Sequence, residues 1–288
     1  MEFTIAGDTF GINVAKITEI MQCKPVKPMP NSHPNVEGVF MPRDQVITVI
    51  DLPGYMGLPV SADQERDMFM ITGFNNIHVA FHVHTVEGIH RIKWSDIEKP
   101  DSTIYGGTEG MATGIAKVGR KLITIVDFES IVFTISPELG IQISEITELG
   151  PRQRSTKPII TADDSVLLRK LVNEALTTAG YMNIKSFRDG QETWEYLENM
   201  RDKALAEDVS ITSKVAAVIT DIEMPMMDGH RLTKLIKNDK ILGKIPVIIF
   251  SSLIDEAMRI KGDELGADGQ LSKPEIGNLV ATLDSCIA

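Results

Sequence analysis

The sequence predicts a two-domain protein, with an all-β N-terminal half and a C-terminal α/β half built on a doubly wound parallel sheet. Three observations carry this reading. The 288 residues, 43% hydrophobic and 24% charged, suffice for two cores. The first half sets short β-branched runs between Gly, Pro and Asp residues. From Pro158 onward, short apolar runs alternate instead with amphipathic stretches of helical period, the pattern of a parallel sheet covered on both faces.

In the first half VITVIDL (46–52), MFMITGF (68–74), IHVAFHVHTVEGI (77–89) and KLITIVDF (121–128) read as strands. His78, His82 and His84 share strand parity and form a polar outer face, opposite a buried face of Val79, Phe81 and Val83. No cysteine accompanies these histidines in sequence, which argues against a metal site. The glycines of 106–110 lack the strand-to-helix setting of a phosphate loop and read as a turn. No catalytic arrangement stands out before residue 147. The predicted first domain is therefore 1–147, followed by a polar linker at 148–157, with 141–149 able to dock as an amphipathic strand or helix on either domain.

In the second domain, 158–288, the runs PIITADD (158–164), VAAVITD (215–221) and IPVIIFSS (245–252) are strands, each followed by a helix. In the first of these helices Leu168, Leu171, Val172, Ala175 and Leu176 recur at helical spacing, and Gly180 is the stop.

A net charge of -11 argues against nucleic-acid binding, which concentrates Lys and Arg on one face. No apolar run reaches the roughly 18 residues of a membrane span, and the N-terminus lacks a signal-peptide pattern, so a cytoplasmic protein with protein partners is expected. Cys23 and Cys286 read as free thiols.

Ligands of a doubly wound sheet bind at the carboxyl ends of its strands. There the sequence places Asp163 and Asp164 after the first strand, Asp221 after the third, Ser251 and Ser252 after the fourth, and Lys273 before Pro274. Three converging carboxylates repel one another and call for a hard divalent cation, which all-oxygen ligation makes Mg²⁺. A lysine and a hydroxyl alongside suit the oxygens of a transferred phosphoryl group.

The pair Asp163–Asp164, the run DIEMPMMDG (221–229), Ser251 and SKP (272–274) resemble the receiver domain of two-component response regulators. The resemblance implies that Asp221 accepts a phosphoryl group from a histidine kinase. It further implies that Asp163, Asp164, Asp221 and the backbone carbonyl of Glu223 hold Mg²⁺, and that Ser251 and Lys273 contact the phosphoryl group. Receivers usually carry a switch aromatic three positions before the lysine; this chain has Gln270 there, so Ser251 and Gln270 are the expected switch positions.

The runs FGINVAKITEI (10–20), PNVEGVFMPRDQVITVIDL (34–52) and ATGIAKVGRKLITIVDFESI (112–131) resemble the CheW coupling-protein family. That resemblance implies two small β-barrels that bind the histidine kinase CheA and methyl-accepting chemoreceptors. Of the family's Asn-Leu-Arg-Gly motif, residues 41–44 (MPRD) keep Arg43, the expected partner-binding anchor, or else the partner of Asp44 or Asp51 in a surface ion pair. A CheW-like domain joined to a receiver is the CheV-type architecture. It implies a chemotaxis adaptor, not an enzyme beyond its own phosphoryl transfer and dephosphorylation, working in the cytoplasm at membrane-associated receptor arrays. A phosphate sink, or a response regulator with another output, is the alternative.

Overall fold

A computed structural model of the protein describes residues 1–61, 63–74, 77–93, 96–98 and 111–287. The turn read at 106–110 lies outside these residues. Two compact units divide the chain, Met1–Ile135 and Ser136–Ala288. The division falls upstream of the boundary drawn at residue 147: Ile146 is buried, and the short helix that carries it packs on two helices of the second unit.

The first unit runs β1 (Glu2–Ile5), β2 (Asp8–Gly11), β3 (Ile17–Gln22), β4 (Val36–Phe40), β5 (Ile47–Asp51), α1 (Leu52–Tyr55), β6 (Met68–Phe74), β7 (Ile77–Val83), β8 (Thr85–Gly88), β9 (Ile97–Glu98), β10 (Ala112–Val118), β11 (Lys121–Val126) and α2 (Phe128–Ile135). Two sheets result, in the orders β8-β1-β2-β11-β10-β9 and β3-β6-β7-β5-β4. Pairing is antiparallel apart from β2–β11 and β5–β7. The run read as one strand from 77 to 89 breaks at His84, whose Nδ1 accepts the Ala6 amide at 2.9 Å. By that bend β7 serves one sheet and β8 the other.

In β7 Val79, Phe81 and Val83 are buried as their residue types dictate, but Ala80 on the opposite side is buried too, in a cluster with Phe40, Phe69 and Ile71, so the histidine side of the strand is not a plain polar outer face. Helix α2 is buried almost all round, and Phe128 stacks edge-on against Phe3 of one sheet and Phe81 of the other, with ring centroids 5.9 and 4.4 Å away. This aromatic triple joins the two sheets into one core.

The second unit runs α3 (Ser144–Glu148), β12 (Ile159–Ala162), α4 (Val166–Thr178), β13 (Ile184–Phe187), α5 (Gly190–Ala206), α6 (Ile211–Lys214), β14 (Ala217–Thr220), α7 (Gly229–Asn238), β15 (Val247–Ser251), α8 (Glu256–Glu264), β16 (Gly269–Ser272) and α9 (Ile276–Ile287). Its sheet is parallel throughout, in the order β13-β12-β14-β15-β16. Side-chain caps start the helices: Ser165 accepts from the Leu168 amide, Asp189 from Glu192, Asp228 from Arg231 and Asp255 from Met258. At the end of α4, Gly180 sits at φ +97, a left-handed conformation that glycine adopts without strain. No helix among the described residues is long and apolar enough to cross a membrane.

Candidate phosphoryl-acceptor site

The sheet reverses its winding direction between β12 and β14, and this switch point opens a crevice at the strands' carboxyl ends. The register pairs Ala162 with Thr220, so Asp163 and Asp221 leave the sheet side by side, with the Asp221 amide donating to the Ala162 carbonyl at 2.8 Å. Ligand oxygens of Asp163, Asp164 and Asp221 all lie within 4.8 Å of one another. Asp163 and Asp221 are buried, and Asp164 is half-buried.

Local hydrogen bonds aim these carboxylates. Oδ1 of Asp163 accepts the Ser165 amide at 2.9 Å, closing the turn into α4, while Nη1 of Arg169 donates to the Asp163 carbonyl at 2.5 Å. Oδ1 of Asp221 accepts the Ile222 amide at 2.6 Å, leaving Oδ2 toward the crevice. The loop after Asp221 is held close by Gly229, whose amide donates to the Ile222 carbonyl at 2.9 Å; a Cβ there would stand 1.9 Å from the Asp221 carbonyl. Only glycine permits that approach, which explains the Asp-Gly pair at 228–229.

Lys273 enters from the end of β16. Its side chain is 1% exposed, and Nζ lies 2.8 Å from Asp221 Oδ2 and 3.0 Å from Asp163 Oδ2. The buried ammonium offsets carboxylate repulsion at the site. Ser251, also buried, ends β15 opposite Ser272; its carbonyl accepts the Lys273 amide at 3.3 Å and its Oγ accepts the Leu253 amide at 3.4 Å. Glu223 lies two residues beyond Asp221 in the same loop. The site thus gathers hard oxygen donors, an ammonium and a hydroxyl-bearing strand end, a set that fits a Mg²⁺ ion held by Asp163, Asp164 and Asp221.

Gln270 turns away from this crevice. Its Nε2 donates to the Arg259 carbonyl at 2.8 Å and to Asp263 Oδ1 at 2.7 Å, fastening β16 to α8. Gly262 leaves the space this needs, since a Cβ there would stand 2.2 Å from Gln270 Oε1. On the neighbouring helix, buried His230 has its pKa lowered by desolvation and by Lys261, against the opposing pull of Asp228 and a Met258 backbone hydrogen bond.

In the first unit Arg43 lies between β4 and β5, largely exposed, with φ +52. Its ion pair is with Glu19 of β3, at 2.8 Å, and not with Asp44 or Asp51. His82, read as a plain surface position, bridges two carboxylates: Nδ1 lies 2.5 Å from Glu37 and Nε2 2.9 Å from Asp67. Burial disfavours its charge, but the outward pulls of Cys23, Glu37 and Asp67 prevail and push its pKa up to about 11. Cys23, far from His82 in sequence, therefore does join that histidine in space.

Comparison with known proteins agrees with both halves of this geometry. Residues 1–136 match the CheW-like domain and residues 159–284 the response regulator receiver domain. Chemotaxis protein CheV3 of Helicobacter pylori is 30% identical over 267 residues, covering 92% of this chain and 84% of that protein. Chemotaxis protein CheV1 of the same organism is 26% identical over 289 residues, covering 92% and 85%. Among solved structures, the scaffolding protein TtCheW of Thermoanaerobacter tengcongensis is similar over 44% of this chain and 86% of its own, at 23% identity and a TM-score of 0.41. With a CheW-like domain and a receiver joined on one chain, and a relative matched along nearly its whole length, the protein belongs to the CheV-type chemotaxis coupling proteins, adaptors and not classical enzymes.

Proposed function

We propose that this adaptor couples methyl-accepting chemoreceptors to the histidine kinase CheA, and that phosphorylation of Asp221 regulates the coupling. The observation that carries the reading is the buried constellation of Asp221, Asp163, Asp164 and Lys273 on the same chain as a CheW-like domain. Asp163, Asp164 and Asp221, with the Glu223 carbonyl, would hold Mg²⁺, which would supply charge neutralisation at a transferring phosphoryl group. Oδ2 of Asp221 attacks phosphorus, the N–P bond of the kinase phosphohistidine breaks, and the electron pair stays on the imidazole, which takes up a proton. Lys273 and Ser251 then hold phosphoryl oxygens, Lys273 exchanging its carboxylate contacts for them.

Residues 1–135 bind kinase and receptor, with Arg43 as an anchor beside exposed Met41 and Val46. The adaptor works at membrane-associated receptor arrays through these partners and without inserting into the bilayer. The test is kinase activity in reconstituted receptor arrays with the wild type and with Asp221→Asn. A phosphodonor-dependent change in kinase activity that Asp221→Asn abolishes is the expected result. Equal activity in both, with Asp221 serving only to drain phosphoryl groups from the kinase, would reject regulation in favour of a phosphate sink.

A further inference from the structure

Residues 136–157, upstream of the receiver sheet, are not a bare tether. Helix α3 packs on α4 and α9 with Ile146 only 2% exposed, and Oε2 of Glu145 accepts the Gly277 amide, in the first turn of α9, at 3.0 Å. That amide is one of the donors a helix start leaves unpaired, and a carboxylate there also meets the favourable end of the helix dipole. Further along, Nη2 of Arg152 lies 2.6 Å from both carboxylate oxygens of Asp284 in α9, and its Nε donates to the Ala179 carbonyl at 2.8 Å. Tyr181 donates to the same Asp284, and Lys157 donates to the Ile287 carbonyl. The segment is anchored firmly at 152–157 and by one polar contact at α3.

That one contact is joined to the phosphoryl site by a short, tightly bonded piece of backbone. Lys273, paired with Asp221 and Asp163, stands four residues before Gly277. Across and around this stretch the Ser272 amide donates to Glu275 Oε2 at 2.9 Å, the Ile276 amide to the Pro274 carbonyl at 2.8 Å, and the Leu279 amide to the Glu275 carbonyl at 3.0 Å. With so little slack, a change in the aim of Lys273 shifts the first turn of α9.

We propose that α3 is a strap whose grip on α9, through Glu145 and Gly277, loosens when Asp221 is phosphorylated. The inference rests on the phosphoacceptor reading above and adds where its effect leaves the receiver. A phosphoryl group draws Lys273 from Asp163 and Asp221 toward new oxygens, residues 272–276 follow, and the Gly277 amide parts from Glu145. The chain upstream of α3 leads directly to the first unit at Ile135, so the strap is the segment through which the receiver's state reaches the coupling domain.

Hydrogen exchange of the full chain, in Mg²⁺ with and without beryllofluoride, tests this, with the adduct itself monitored by fluorine resonance. The amides to watch are those of Glu145, Ile146 and Leu149, which donate within α3 and its flanks. They are expected to exchange about five-fold faster in the adduct, the size of the one hydrogen bond that holds α3 to α9. Glu145→Ala is expected to show the fast exchange without beryllofluoride and no further rise with it. An adduct that forms while α3 exchange stays unchanged or slows overturns the strap alone, as does a full beryllofluoride response in Glu145→Ala. Failure of the adduct to form overturns the phosphoacceptor reading and the strap with it.

Discussion

Lys273→Met replaces the buried ammonium by an apolar chain of similar length and leaves Asp163 and Asp221 facing each other without it. Its Nζ makes ion pairs of 2.8 and 3.0 Å at 1% exposure, so this is the removal of one member of a buried ionic group. Such removals cost about 3–5 kcal/mol, against at most about 1 kcal/mol for a surface pair. Because Mg²⁺ neutralises the same carboxylates, the variant is expected to bind it more tightly than the wild type. Metal stabilises the wild type as well, so at saturation the gap narrows by about 1.4 kcal/mol for each ten-fold by which the variant binds Mg²⁺ more tightly. Trp194 packs against the receiver core and reports this unit's unfolding in urea once Trp94→Phe removes the second indole. The expected outcome is a loss of about 3–5 kcal/mol in chelator that shrinks as Mg²⁺ is added. A metal-free loss under about 1 kcal/mol, or one indifferent to Mg²⁺, would refute the electrostatic account of the site.

Asp164→Ala is expected to weaken Mg²⁺ binding while the fold survives, since it removes a ligand and a repulsion together; an unchanged affinity by titration rejects Asp164 as a ligand. The raised pKa of His82 means that its charge stabilises the first unit fully below about pH 6.5, a contribution that fades as pH rises from there toward about 11. Unfolding midpoints should therefore fall across that range in the wild type, and a His82→Gln variant with the same slope would count against it. His230 has the opposite sign. Its pKa is lowered, so the unfolded chain binds the proton more readily, and the receiver should lose stability as pH falls below about 6.5; His230→Gln should flatten that decline. Gln270→Tyr breaks two hydrogen bonds to α8, at about 1 kcal/mol each, and should enlarge the difference in partner binding between free and beryllofluoride-bound protein. Equal differences in the two proteins would show that this position does not couple.

The second half was the more legible because its function and its fold share one signal. A parallel sheet buried on both faces writes continuous apolar runs, and their polar ends are the site: Asp163, Asp221 and Lys273 meet where those runs stop. Arg169 gave no such signal, since a lone arginine on a half-exposed helix face looks like solvent-facing charge until the Asp163 carbonyl is placed beside it. The first half was harder. Helix α2 is buried almost all round, its polar Glu129 and Ser130 included, so no exposed polar stripe marks a helical period, and it followed β11 as though the strand had simply ended. β1, β2 and β3 are short and of mixed burial, and the bend at His84 depends on the Ala6 amide, 78 positions away in sequence, not on a local breaker. His82 and Cys23 show the same limit, for their meeting is made by strand order, which no local pattern encodes.

The pairing of β2 with β11 has a consequence for how the chain acquires its shape during synthesis. Phe10 and Gly11 lie against Thr124 and Ile125, so the strands made first wait for almost the last ones of their unit. Closing such a loop costs entropy before any contact repays it, and folds dominated by distant pairings form slowly. Until β11 leaves the ribosome, the outer edge of β2 carries unpaired amides and carbonyls that another nascent chain could capture. The receiver sheet, wound from neighbouring βα units, has no comparable delay once each strand has been made. Translation order and topology therefore give the coupling unit the long exposed interval and the receiver the short one.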